Sequence, residues 1–432
     1  MDSEEVEILA IGAGPANLAL AVALEEMAPD LARSTLIVDQ HETVLWQRGM
    51  LLPWSQSQVS FLKDLVTLRN PCSPFSFISY LHAVGRLNEF INMGSFTPYR
   101  LEISEYLQWV AAGLSAVRVQ GGRRCVSIEP EFDSAGEVRE WLVRMSDGGE
   151  IHCRNLVIGS GRDPHVPSVF DKLPSSRWIH STQFSERITA FDSDGAHRIV
   201  VLGGAQSAAE MLWASHQQFP NAECTMVMRS IGLNCYETSR FTNELFYPSF
   251  VDEFHAALPE AREQLLREMH RTNYSGLAPA LLEVLYRQMY LERLTGSERM
   301  RMRTMVEVAD AELSDGEVVL TLMDRKTGKT EQLCCDVVLL GTGFARRMPK
   351  LVRDLAASVL LDEIAVSRNY RLQLPATVQA GCYLQGVNEA THGMADTLLS
   401  VLAIRSEEIV TDLLEHRQAP QLVATVPVPL AN

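Results

Sequence analysis

The sequence predicts an α/β protein with parallel sheets, and three observations carry that prediction. Two stretches, Val6–Leu24 (VEILAIGAGPANLALAVAL) and Arg198–Glu210 (RIVVLGGAQSAAE), share one plan: a short apolar strand, a glycine turn, then a helix. Each is followed by another apolar run, Thr35–Val38 or Cys224–Met228, that ends beside a charged residue, Asp39 or Arg229. A further buried run, Val337–Leu340, leads into the glycine loop Gly341-Thr-Gly343-Phe. The expected architecture is two Rossmann-like dinucleotide-binding domains with a small helical insert.

The first unit can be read atom by atom. Gly12 makes the sharp turn, and Gly14, without a Cβ, lets a pyrophosphate approach the backbone. Pro15 falls in the first helical turn, where a missing N–H costs little. The helix from Ala16 then aims free N–H groups and the positive end of its dipole at the phosphate. Asn17 replaces the usual third glycine. Asp39 stands where an acidic side chain can hold a ribose hydroxyl. In the second unit Gly203 is first, Ala205 fills the central slot and crowds the pyrophosphate approach, and Ala208 fills the third. Arg229, a base where NAD sites carry an acid, favours a 2′-phosphate. Two such units in one chain imply two dinucleotides facing one another, most simply FAD and NADPH.

Composition excludes several classes. The chain has 432 residues, 46% of them hydrophobic and 21% charged, as in a globular protein able to hold two or three domains. A net charge of −16 argues against nucleic acid or an anionic membrane as partner. No apolar run approaches the roughly 18 residues of a membrane span, and the acidic start MDSEEVE is unlike a signal or transit peptide. The eight cysteines form no CxxC pair and no zinc spacing, so we expect free thiols, a reducing cytoplasm and no metal site.

The remaining segments are read in order. Trp46–Pro74 is long and irregular, a form that is often functional inside a compact domain. Lys63, among Phe61, Leu62 and Leu65, is by spacing either a snorkelling surface residue or a buried cation facing a ligand anion. Phe75–Phe90 and Glu102–Leu114 have helical spacing, and Arg100 between them is a phosphate or ribose contact or a helix-start salt bridge. Cys125–Ser127, Trp141–Met145 and Ile151–Ile158 suit antiparallel strands, closed by the loop Gly159-Ser-Gly-Arg-Asp-Pro. Helical runs are expected at Pro259–His270 and Pro279–Leu294, strands at Met305–Val308 and Glu317–Leu322, and a last helix from Ala395 to about Leu414. Asn243 and Asn273 lie in helical, apolar surroundings where capping is the ordinary role of Asn. The run from Cys335 should return the chain to the first domain, and the Pro-rich tail from Gln418 should be mobile.

Seven elements together resemble the N-hydroxylating flavin monooxygenases, and within them the L-ornithine N5-monooxygenases of hydroxamate siderophore biosynthesis. They are Gly12-Ala-Gly-Pro-Ala-Asn17, Gln58-Val-Ser-Phe-Leu-Lys-Asp-Leu-Val-Thr-Leu-Arg-Asn-Pro71, Gln206-Ser-Ala-Ala-Glu210, Phe241-Thr-Asn-Glu-Leu-Phe246, Thr272-Asn-Tyr-Ser275, Gly341-Thr-Gly-Phe344 and Thr391-His-Gly-Met-Ala-Asp-Thr-Leu-Leu-Ser400. The lysine-hydroxylating relatives usually lack the Asn-Tyr-Ser element, which favours ornithine. The family has His where Gln47 follows Trp46, Met at Ser57, Gly at Ala205 and commonly Asp at Glu237; the first three positions touch cofactor binding.

The resemblance implies the following assignments. FAD lies along Gly12, Gly14, Pro15, Asn17 and Asp39, with Trp46, Gln47 and Gln58 near the flavin and Gly343 in the returning loop. NADPH lies along Gly203, Gln206, Ser207 and Arg229, with Arg100 and Tyr274 helping to hold it. Lys63 takes the substrate carboxylate, Asn243 the α-amino end, and Asn273 the side-chain amine, with Ser400 lining that site. The domains would be 1–165 with 335–432 for FAD, 166–235 with 295–334 for NADPH, and 236–294 as the helical substrate segment. The implied reaction is N-hydroxylation through a C4a-hydroperoxyflavin, with O₂ as co-substrate and a tetramer as the usual assembly. Rival readings are hydroxylation of lysine or another diamine, or an uncoupled NADPH oxidase or flavin reductase.

Overall fold

Two sheets, one mixed and one parallel, grow outward from the two glycine-turn strands in a computed structural model that describes residues 3–418. The tail beyond Gln418, expected to be mobile, lies outside the described residues. The first sheet is built from β1 (Ser3–Ile11), β2 (Thr35–Val38), β3 (Arg118–Gln120), β4 (Cys125–Phe132), β5 (Val138–Met145) and β6 (Glu150–Ile158), in the order β3-β2-β1-β6-β5-β4. β1 is parallel to both β2 and β6, and Ile8, Leu9 and Ala10 at its centre are fully buried. Burial on both faces explains the continuous apolar run. β4, β5 and β6 pair antiparallel, as their alternation predicts.

The second sheet contains β7 (Trp178–His180), β8 (Arg198–Leu202), β9 (Glu223–Met228) and β10 (Met300–Thr304). An antiparallel three-stranded sheet follows, of β11 (Val306–Ser314), β12 (Glu317–Asp324) and β13 (Thr330–Cys335), and then β14 (Val337–Leu340). The order is β10-β9-β8-β14-β7, all parallel. In each sheet the glycine-turn strand has its sequence neighbour on one side and a later strand on the other. Both glycine turns therefore sit at topological switch points, where open α/β sheets bind ligands.

Several expectations are corrected. The run from Cys335 does not return the chain to the first sheet: β14 pairs with β8 and β7 of the second. The return is made by β15 (Gly381–Leu384), which pairs with Asn155–Ile158 of β6. The proposed boundary at 335 thus cuts the second sheet, because a short apolar strand carries no mark of the partner it will choose. Met305 is no strand residue but a left-handed hinge (φ 57°) between β10, which the sequence reading missed, and β11. Phe75–Phe90 is two helices, Phe77–Ala83 and Leu87–Met93, split at Gly85 (φ 75°). The last helix begins at Leu402, after two short 3₁₀ turns at Met394–Thr397 and Leu399–Val401.

The helical segment 236–294 divides between neighbours. Pro279–Thr295 buries Leu281 and Leu285 in the core beneath the second sheet. Arg240–Glu244, Phe250–Ala256 and Pro259–Asn273 instead lead to a cluster in which Phe246, Val251 and Met269 meet Met394, Ala395 and Val401.

Candidate active site

Each glycine turn is shaped to leave a helix N-terminus open. Gly12 has φ 96°, and a Cβ there would lie 2.8 Å from the Gly159 carbonyl oxygen. Gly203 has φ 140°, and its Cβ would lie 2.4 Å from the Gly341 carbonyl oxygen. These glycines let backbone meet backbone. Gly14 differs, since a Cβ there would meet nothing within 4 Å; its smallness keeps space clear beside the turn. The Pro15–Met27 helix has Pro15 in its first turn, and no side chain caps it at Gly14. The Gln206–Gln218 helix is likewise uncapped at Ala205. Uncapped N–H groups above a switch point fit a pyrophosphate. A cleft of about 290 Å³ adjoins the first turn, lined by Ala13, Asp39, His41, Gln108 and Gly121 among others. Asp39 accepts from the Ala13 amide at 2.8 Å, which fixes its carboxylate at the cleft wall. Arg229 is exposed directly after β9, and Ser207 lies in the first turn of its helix.

Three residues expected on the cofactors are engaged elsewhere. Asn17 is fully buried: its amide nitrogen donates to the Ile11 and Gly12 carbonyls at 3.0 and 2.8 Å, and its oxygen accepts from Gln385. It braces the turn from beneath. A Cβ on Gly159 would strike it at 2.8 Å. Arg100 makes a salt bridge at the start of its helix. Its guanidinium donates to both oxygens of Glu210 at 2.7 and 2.8 Å, and the side chains are 7% and 1% exposed. Gln206 donates to Glu210 and accepts from the Ala278 amide, each at 2.8 Å, so its amide joins helices.

Lys63 lies in a loop that Asp64 makes rigid. Buried Asp64 accepts from the amides of Val66, Thr67 and Phe77 and from the Thr67 hydroxyl, at 2.7–3.0 Å. The Lys63 Nζ donates to Ser400 Oγ at 3.4 Å. It has no carboxylate within salt-bridge distance among the described residues, and burial pushes its pKa down. Ser400 is buried; in the same segment Arg405, 1% exposed, donates to Asp396, which also accepts from the Asn388 amide. Neither Asp64 nor Asp396 was singled out from sequence, because an acid inside a loop motif shows no sign of what it will accept.

The segment Met394–Ser400 touches Lys63 at one end and the neighbours of Asn273 at the other. Thr272 Oγ1 lies 3.6 Å from Met394 Sδ. The Tyr274 hydroxyl meets Thr397 and Glu389, each at 3.0 Å. Burial and the Glu389 carboxylate push that hydroxyl up to about 12, so it stays protonated and donates. Asn273 ends the Pro259–Asn273 helix, half-buried, its side chain making no hydrogen bond among the described residues. Asn243 is exposed on Arg240–Glu244, its side chain making no hydrogen bond among the described residues. Trp46 packs, partly buried, against the cluster that holds Leu18, Phe77 and Tyr106; Gln47 is exposed with φ 52°, and Gln58 is exposed. Gly343 has φ 72°, with nothing near its missing Cβ, and its carbonyl accepts from the His165 amide. Away from these turns, Glu131, Glu140 and His152 bring ligand-type atoms within 4.8 Å of one another, with Glu131 and His152 already hydrogen-bonded at 2.6 Å.

Two uncapped nucleotide helices at two switch points define the class: oxidoreductases with paired dinucleotide-binding Rossmann domains. Within it, the chain belongs to the L-lysine 6-monooxygenase/L-ornithine 5-monooxygenase family, whose model matches residues 4–346. An L-ornithine N(5)-oxygenase from Arthrobotrys oligospora is 37% identical over 94% of this chain and 88% of its own. The solved ornithine hydroxylase from Pseudomonas aeruginosa is 37% identical, covers 96% of this chain and 100% of its own, and superposes with a TM-score of 0.89. An ornithine N-hydroxylase from Kutzneria sp. 744, solved with reduced FAD, NADP⁺ and L-ornithine, is 32% identical over 96% of this chain and 100% of its own, with a TM-score of 0.88.

Proposed function

We propose that this chain is an FAD- and NADPH-dependent monooxygenase that hydroxylates the side-chain amine of L-ornithine, yielding N5-hydroxyornithine for a hydroxamate siderophore or related metabolite. The observation that carries it is the half-buried Lys63 ammonium. It has no acid partner among the described residues, sits 3.4 Å from Ser400, and shares the Met394–Ser400 segment with the stretch of chain around Asn273. A desolvated cation without a counter-ion suits an anionic ligand group, here the amino-acid carboxylate. The relatives named for ornithine are 37% and 32% identical, against 29% for a solved L-lysine 6-monooxygenase, which supports ornithine over lysine.

Gly12, Gly14, Pro15 and Asp39 would hold FAD, with Trp46, Gln47, Gln58 and Gly343 bordering it. Gly203, Ser207, Arg229 and Tyr274 would hold NADPH. Bound FAD, reduced by NADPH, supplies the oxygen-activating chemistry. The protein's own part is to present a nucleophilic nitrogen. An alkylammonium has a pKa of about 10 and no lone pair to offer. Desolvation favours the neutral amine. Asn273 can accept a hydrogen bond from that amine, whereas a carboxylate would hold the proton on. Asn243 would meet the α-amino group. Lys63 repels a second cation at the carboxylate end, which orients the substrate. A homo-oligomer, tetrameric by the resemblance, in a reducing cytoplasm completes the reading; light scattering on the purified protein tests the assembly. No helix among the described residues is long and apolar enough to cross a membrane.

The test is NADPH-coupled hydroxylamine formation on ornithine, lysine, putrescine and cadaverine, with peroxide measured alongside. Ornithine should give the highest kcat/KM with little peroxide. A preference for lysine or a diamine replaces the substrate, and peroxide without hydroxylamine overturns the monooxygenase reading.

A further inference from the structure

We propose that the buried Arg100–Glu210 pair is a strut that sets the spacing and tilt of the two nucleotide cradles, which makes Glu210 a positioning residue for hydride delivery from NADPH to flavin. The inference rests on the two-cofactor reading above.

Arg100 opens the Arg100–Gly113 helix, whose Tyr106, Leu107 and Val110 pack with Leu18, Ala19 and Val22 of the first nucleotide helix. Glu210 lies one turn into the second nucleotide helix, Gln206–Gln218. The bonds of 2.7 and 2.8 Å use the two terminal guanidinium nitrogens, Nη1 and Nη2, and both carboxylate oxygens. A two-pronged bond fixes orientation as well as distance, because the guanidinium and carboxylate planes must align. The polar chain continues at each end. Arg100 Nη1 also donates to the Met50 carbonyl at 3.2 Å. Glu210 accepts from Gln206, and Gln206 accepts from the Ala278 amide at the start of Pro279–Thr295. One line of hydrogen bonds thus runs from the first unit, through the first turn of the second nucleotide helix, into the helical segment.

Beside the strut the two units touch with no slack. Gly49 lies against the Ser181 and Thr182 backbone so closely that a Cβ would come within 2.2 Å, and Ser185 donates to the Gly49 carbonyl at 2.8 Å. Gly49 is the pivot, and the ion pair decides the angle about it. Apolar packing alone would resist separation but not rotation. A buried ion pair is a weak source of stability, since well-packed apolar residues often replace it without loss. Directionality is what this pair adds.

The experiment compares wild type, Glu210→Gln and the double variant Arg100→Met/Glu210→Met. Three quantities are read: anaerobic flavin reduction at saturating NADPH, reoxidation of dithionite-reduced protein by O₂, and hydrogen exchange of the Ala278 amide in FAD-free protein. Wild type must first take up FAD and be reduced by NADPH; if it does neither, the proposed function fails before the strut is tested. In Glu210→Gln we expect flavin reduction slowed by roughly tenfold or more, reoxidation within about twofold of wild type, and faster Ala278 exchange. The double variant should unfold at or above the wild-type temperature and still be slow in reduction. Recovery of wild-type reduction in the double variant would show that the pair only fills space. A lower NADPH KM in Glu210→Gln with an unchanged saturated rate would instead make the freed Arg100 a cofactor ligand. Either result overturns the proposal.

Discussion

Replacing Lys63 with methionine separates what the residue costs the fold from what it does for a ligand. The Nζ is half-buried, its one hydrogen bond is to Ser400 Oγ at 3.4 Å, and burial lowers its pKa. A lysine with a folded pKa below its unfolded one disfavours the native state when charged. Between the two values the unfolded chain holds the extra proton, so this group's contribution to stability rises with pH through that window and is lost as pH falls. Methionine keeps the apolar stem and removes the charge. Ligand-free Lys63→Met should therefore unfold at or above the wild-type temperature at pH 7, and the difference should shrink towards the unfolded lysine pKa of about 10.4. Substrate binding should move the other way. Losing one partner of a desolvated ion pair costs about 3 kcal/mol, roughly a hundredfold in ornithine KM. The NADPH KM should stay within about threefold of wild type. The assay is hydroxylamine formation with each substrate varied at saturation of the other. An ornithine KM that hardly moves, or an NADPH KM that climbs equally, refutes the assignment of Lys63 to the carboxylate.

Asn273→Asp should place a carboxylate by the reacting amine, raise the apparent pKa of turnover by about one unit or more, and divert reducing equivalents to peroxide; an unchanged pH profile would remove Asn273 from the amine. Arg229→Ala should raise the NADPH KM about fivefold, in keeping with roughly 1 kcal/mol for an exposed charge, and leave that for NADH unchanged. Equal effects on both would deny a 2′-phosphate contact. His392 stacks on Tyr370 at 4.2 Å, and burial pushes its pKa down to about 4. The unfolded histidine takes a proton first as pH falls, so this stabilisation is present above about 6.5 and is lost between there and about 4, up to about 3 kcal/mol in all. Urea unfolding of His392→Gln should show a flatter pH dependence across that window; an identical slope assigns the acid sensitivity to other groups.

The nucleotide units were legible because their requirements are local. A glycine at φ 96° or 140°, a proline in the first helical turn and an uncapped helix start all lie within a few residues of one another. Lys63 was ambiguous on its own surroundings, and only the motif resemblance pointed it at a carboxylate. Its desolvation depends on Ser400, far along the chain, and on a loop that Asp64 holds by four hydrogen bonds. Arg100 was open between two roles on sequence, and its ion pair depends on a glutamate 110 residues further along the chain.

Residue order by itself determined the two strand–turn–helix units, their switch-point glycines and the residue types offered to each ligand, since backbone dihedrals and helix starts are settled among near neighbours. Tertiary structure alone decided that β14 joins the second sheet and β15 the first, that Asn17 faces inward, and that Arg100 and Gln206 are taken up by Glu210. A buried charge or an unpaired strand edge must find a partner somewhere, but which partner depends on how distant segments are brought together, and that information is spread over the whole chain.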